Sequence, residues 1–138
     1  MSQIEVDKVI PQSGTNLQIG EAGDTINLTT ATVNLPTGVG GTAWQAIKTA
    51  NFTAVAGEGY FVNTTGGVIT ATLPSSATIG NEVSIIDYAG TADTNNITIG
   101  RNGHNIQGAA SDMTVSTERA AFTLVYVDST QGWLLKDN

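Results

Sequence analysis

Apolar residues in this chain alternate with polar ones in short runs and hardly ever recur at helical spacing. From residue 50 onward the runs are Phe52–Val55, Tyr60–Asn63, Val68–Leu73, Glu82–Tyr88, Ile97–Ile99, Met113–Val115, Ala121–Val127 and Gly132–Leu135. A period of two, punctuated by Gly, Pro, Asn and Ser, marks strands with one face buried and one face wet. About eight such strands at this spacing predict a small antiparallel sandwich of jelly-roll type over residues 43–138. Asn102-Gly103 is a tight-turn signal within it, because both residues tolerate positive φ.

Residues 1–42 carry a different pattern. After the alternating opening Ile4-Glu5-Val6 come the triplets Leu17-Gln18-Ile19, Ile26-Asn27-Leu28 and Val33-Asn34-Leu35, each apolar–polar–apolar, before the stop at Pro36 and the Gly38–Gly41 hinge. Strands this short do not make a stable layer in one chain. Their apolar side chains (Ile4, Val6, Leu17, Ile19, Ile26, Leu28, Val33 and Leu35) instead suit a shared axis, where three copies would close each layer and remove the free strand edges. The expectation is a trimeric β-stalk or prism; the alternative is a leader that orders on a neighbouring molecule. Between the halves, Trp44–Ala50 is the one stretch with helical character, capped by Gly41-Thr42, and Trp44 is expected to anchor the joint.

Composition narrows the function. Charged residues make up 12% of the chain, so solubility rests on Thr, Ser, Asn, Gln and 16 Gly. Five Lys and Arg stand against 12 Asp and Glu, a formal charge of −7. No basic stripe exists to displace counterions from nucleic acid, and no basic amphipathic helix to lie on a membrane. Without Cys, rigidity must come from packing or from oligomerisation. The opening Met1–Glu5 has neither the cationic nor the apolar region of a secretory signal, so synthesis and folding in a cytoplasm are expected.

Several segments together resemble the virion proteins of bacteriophages, especially tail-fibre and appendage proteins of marine phages. They are Gly59-Tyr60-Phe61-Val62-Asn63, Thr72-Leu73-Pro74, Gly80–Asp87, Asn96-Ile97-Thr98-Ile99 with Asn102-Gly103 and Ile106-Gln107-Gly108, and Leu124-Val125-Tyr126-Val127 ending in Gly132-Trp133. Val6–Pro11, Leu17–Gly20 and Asp24–Leu28 are similar to trimeric segments of such fibres. The resemblance implies a homotrimeric structural protein of the particle: a short fibre or appendage, or a capsid decoration. Its partners would be its own copies and other virion proteins.

Residues capable of catalysis are sparse. The acids fall singly along the chain, mostly in turns, where Asp bonds its own backbone. The single His104 follows the Asn102-Gly103 turn, a place for a solvated polar residue. One His and no Cys make no metal site within a chain, and Gly38–Thr42 lacks the Lys-Ser/Thr ending of a phosphate loop. A non-enzymatic protein without cofactor or metal is therefore expected. Asn-x-Thr triplets at Asn27, Asn51, Asn63 and Asn96 fit chance in so Thr-rich a chain. Glycan recognition remains as the alternative function, with the chain acting as a receptor-binding tip. Among the aromatic residues, Tyr60, Tyr126 and Trp133 continue strand alternation into the core, whereas Tyr88 ends a strand beside the polar loop 89–96 and is the candidate glycan contact.

Overall fold

The computed structural model describes residues 41–136, which lie in the second of the two units, Met1–Asn34 and Leu35–Asn138, into which the chain divides. The positions expected to line a trimer axis, Ile4, Val6, Leu17, Ile19, Ile26, Leu28, Val33 and Leu35, lie outside the described residues.

The described residues are all-β, without a helix. Nine strands occur in the order β1 (Ala43–Trp44), β2 (Phe52–Thr53), β3 (Glu58–Val62), β4 (Ile69–Thr72), β5 (Glu82–Asp87), β6 (Ile97–Gly100), β7 (Met113–Val115), β8 (Ala121–Asp128) and β9 (Gly132–Leu135). Every strand after β1 overlaps one of the alternating runs of the sequence, with β3 starting at Glu58, two residues before its run. They form a five-stranded sheet, β1-β3-β5-β8-β9, and a four-stranded one, β2-β4-β6-β7.

From β1 to β6 the chain changes sheet after every strand, and each strand lands parallel to the one two before it. The chain then reverses, so that β7 runs antiparallel to β6, β8 to β5 and β9 to β8. The expected antiparallel jelly-roll pairing is thus corrected to two mixed sheets. The physical reason is that alternation fixes which face of a strand is buried but not which neighbour it hydrogen-bonds. Turns rich in Gly and Asn can return a strand beside its predecessor or send it across to the other sheet.

The two sheets share one core. Tyr60 and Val62 on β3, Val83 and Ile85 on β5, Leu124 and Tyr126 on β8 and Trp133 on β9 cluster with Ile69 and Ala71 on β4, Ile97 and Ile99 on β6 and Val115 on β7. Phe52 of one sheet packs on Tyr60 of the other at 4.7 Å between ring centroids, and Trp133 meets Tyr126 edge-on at 5.5 Å. Each fully buried large apolar side chain stabilises the fold by about 1.5–3 kcal/mol relative to its exposed state. Gly132, at φ +72°, closes the turn into β9 where a Cβ would stand 1.8 Å from the Asn105 carbonyl oxygen. No side chain fits there.

Two local expectations change. Trp44–Ala50 is not helical: the backbone N–H groups of Ala43, Gln45 and Lys48 donate to the carbonyls of Gly57, just before β3, and of Gly59 and Phe61 on it. A seven-residue segment cannot nucleate a helix against such a partner. Asn102 and Gly103 do adopt positive φ (47° and 91°), with the His104 N–H closing the turn on the Arg101 carbonyl. His104, however, is half-buried and not merely solvated. Its Nε2 lies 3.0 Å from the Ser75 carbonyl oxygen, and its ring meets Tyr126 edge-on at 5.0 Å.

Candidate functional site

Parallel pairing puts the beginnings of β1, β3 and β5 side by side at one end of the five-stranded sheet. Each of these strands follows a turn containing a glycine at positive φ: Gly41 (108°), Gly57 (87°) and Gly80 (85°). The three turns wall a cleft of about 440 Å³, lined also by Thr42, Glu58, Asn81, Glu82, Ser84 and Lys136. A Cβ added at Gly41 or Gly80 would meet open space, so bare backbone keeps the cleft wide there.

Its polar groups are held in place. The Tyr60 hydroxyl donates to Glu58 Oε2 and in turn accepts the Val55 N–H (2.8 Å). Burial, reinforced by the hydrogen bond to Glu58, pushes the Tyr60 hydroxyl up to about 12. On the other side, Lys136 Nζ pairs with Glu82 Oε1 at 3.1 Å. Asn81 Oδ1 accepts the Thr78 N–H (3.0 Å), and the Ser84 and Thr123 hydroxyls lie 2.9 Å apart. Lys48 sits 5.5 Å from the centroids of both Phe52 and Tyr60, a cation–π position that clamps β2 to β3.

Beside the cleft lies an aromatic platform. On β3 the inward side chains are Tyr60 and Val62, so Gly59 and Phe61 face outward, and Trp44 is in register with Gly59. The Trp44 ring stacks on Phe61 (centroids 4.9 Å apart, planes 28° apart) and covers Gly59, where a Cβ would come within 2.6 Å of the ring. The ring is therefore flat against the sheet and 47% exposed. Trp44, expected to anchor by packing, does pack on β3 through Phe61 and Gly59 while staying half-exposed.

The residues singled out in the sequence divide clearly. Tyr60, Tyr126 and Trp133 are buried, whereas Tyr88 is 47% exposed at the far end of β5. The Tyr88 backbone is pinned by its N–H to the Val62 carbonyl (2.9 Å) and by Arg119 Nη1 donating to its own carbonyl (2.8 Å). Glu58 and Glu82, single acids in the sequence, both border the cleft, Glu58 from the core face it shares with Tyr60 and Glu82 from the outer face. Asp87 does not join them. It is buried, and its carboxylate accepts the N–H groups of Gly90 (3.1 Å), Ala92 (3.2 Å) and Arg119 (3.1 Å), tying two loops to the end of β5. Among the described residues no three His, Asp or Glu side chains gather as metal ligands.

Trp44, Asn81 and Lys136 are the site residues that sequence reasoning missed. The only signal for Trp44 was Gly59 in an otherwise bulky strand: a glycine inside a strand marks the close approach of another group. No family model matches the chain, and no curated protein matches it.

Proposed function

We propose that this chain is a non-enzymatic structural protein of a bacteriophage particle, a short homotrimeric fibre or appendage subunit or a capsid decoration, made in the host cytoplasm and carried on the virion. The observation that carries this reading is the use made of the chemically versatile side chains. The buried carboxylate of Asp87 fixes loops, the His104 ring packs on Tyr126, and the Tyr60 hydroxyl bridges Val55 and Glu58. Each is committed to holding the two-sheet module rigid. The low charge and the apolar–polar–apolar triplets of residues 1–42 support self-association, with Ile26 and Leu28 facing the trimer axis. Sedimentation velocity at micromolar concentration is expected to give a trimer, and Ile26→Asp with Leu28→Asp to dissociate it while the two-sheet module stays folded. Unpaired charges in an apolar axis cost several kcal/mol. A stable wild-type monomer refutes the reading.

The second reading, a receptor-binding tip that takes a host-surface glycan, is favoured by the exposed Tyr88 ring on a backbone fixed from both sides. Loss of polysaccharide binding in Tyr88→Ala supports it, and release of new reducing ends by the wild-type protein would replace both readings with a hydrolase.

A further inference from the structure

We propose that the cleft at the head of β1, β3 and β5, with Trp44 at its lip, is a binding site for a glycan of neutral or amine-bearing sugars. It rests on the second reading above, and gives it a different place and a ligand class.

The first argument is the platform. A sugar ring offers one face of C–H groups and an edge of hydroxyls, and an aromatic ring that takes it must be flat, exposed and fixed. Trp44 is half-exposed, stacked on Phe61, and seated over the bare backbone of Gly59. Fixing it costs nothing further on binding, because the ring is already held.

The second argument is continuity with a polar cleft. Thr42, two residues before Trp44, lines the cleft, as does Ser84, the register partner of Gly59 beneath the ring. A sugar resting on Trp44 therefore has its next unit, or its hydroxyl edge, over the cleft. The cleft volume of about 440 Å³ lies within the range of small-ligand sites.

Charge selects the ligand. Glu58 and Glu82 oppose a single cation, Lys136, which is already paired with Glu82 Oε1. The Glu58 carboxylate is turned to the core face, with Oε2 on the Tyr60 hydroxyl, so the acceptor offered to a ligand is Glu82 Oε2, which has no hydrogen-bond donor among the described residues. This oxygen accepts hydroxyl or ammonium protons, and the excess negative charge of the two carboxylates over Lys136 disfavours uronates and other acidic sugars. A planar amide, Asn81, and the Thr42 and Ser84 hydroxyls complete a donor and acceptor set suited to polyols.

Isothermal titration of the full chain with chitotriose, with its de-N-acetylated glucosamine counterpart and with trigalacturonate tests this. Binding of the first two and not of the third is expected. Trp44→Ala should weaken both about tenfold, corresponding to about 1.4 kcal/mol. Gly59→Ala should act in the same direction by pushing the ring off the sheet, and Glu82→Gln should weaken the amine-bearing oligomer more than the acetylated one. Val68→Ala, exposed between β3 and β4, should change nothing. Thermal melts of each variant separate lost binding from lost folding. Equal binding of trigalacturonate, or full binding by folded Trp44→Ala and Gly59→Ala, overturns the inference. Loss in Tyr88→Ala with Trp44→Ala intact also overturns it, while leaving the receptor-tip reading standing. No binding of any of the three probes overturns it as well, and binding of some other host polysaccharide would then decide whether the receptor-tip reading survives.

Discussion

Replacing Asp87 by Asn removes one negative charge and keeps the side chain's shape, which makes it a clean probe of how the loops are held. The carboxylate accepts one backbone N–H at Oδ1, from Gly90, and two at Oδ2, from Ala92 and Arg119. An amide has only one acceptor end. With its oxygen toward Ala92 and Arg119, its NH2 confronts the Gly90 N–H; flipped, it confronts two donors. Hydrogen bonds to a charged group contribute about 1.5–3 kcal/mol each, and a buried donor left unpaired costs about 1–3 kcal/mol. One lost bond and two weakened ones sum to roughly 3–5 kcal/mol. For a domain of this size each kcal/mol lowers the melting temperature by about 4–8 °C, so Asp87→Asn should melt at least about 12 °C below wild type. Hydrogen exchange should show the Gly90, Ala92 and Arg119 amides losing protection first. A shift under about 4 °C with those amides still protected would refute the assignment of Asp87 as the tie between the loops.

Alkaline titration tests the Tyr60 contact. Its folded-state pKa of about 12 exceeds the ordinary 10.0, so the folded chain holds the proton longer, and this part of the stability is complete below pH 10.0 and lost as pH rises through about 12. Tyr60→Phe should flatten that dependence in denaturant melts followed between those pH values; an unchanged slope counts against it. Gly132→Ala forces a Cβ into the Asn105 carbonyl at a positive φ, and should yield insoluble or unfolded protein, as judged by circular dichroism. Lys136→Met, by contrast, breaks only a solvent-exposed ion pair with Glu82 and should change stability by less than about 1 kcal/mol in urea melts.

How much of this was legible in the sequence depends on which physical signal carried it. Strand positions were, because a buried face repeats every second residue: on β4, Ile69 and Ala71 are buried while Thr70 and Thr72 are only half-buried. The same signal buried Tyr60, Tyr126 and Trp133 and left Tyr88 outside. Positive φ at Asn102 and Gly103 was legible from local sterics alone. Strand β1 was not: two residues give no period, and Ala43–Trp44 is a strand only because Gly57 and Gly59 offer carbonyls to it. Nor was the environment of His104, which depends on Ser75 and Tyr126 arriving from distant strands.

The cleft was hidden by the one topological property that alternation does not encode. Glu58 opens β3 and Glu82 opens β5, and these strands are neighbours in the sheet. Were they antiparallel, as a jelly roll pairs its neighbours, the two carboxylates would stand at opposite ends of the sheet, each alone in its turn as the sequence suggests. Because β3 and β5 are parallel, with Glu58 in register with Val83, the two acids border the same end of the sheet from its two faces, and the glycine turns before them lie there too. β1 joins in parallel on the other side of β3, which sets Trp44 over Gly59 and beside that same end. Residues that are unremarkable one at a time become a site through pairing direction. The sheet-switching path that decides this direction is fixed by the shared core of both sheets, in which Phe52 from one meets Tyr60 from the other. A substitution that loosens that contact, such as Phe52→Ala, would therefore disturb the cleft without touching any residue that lines it.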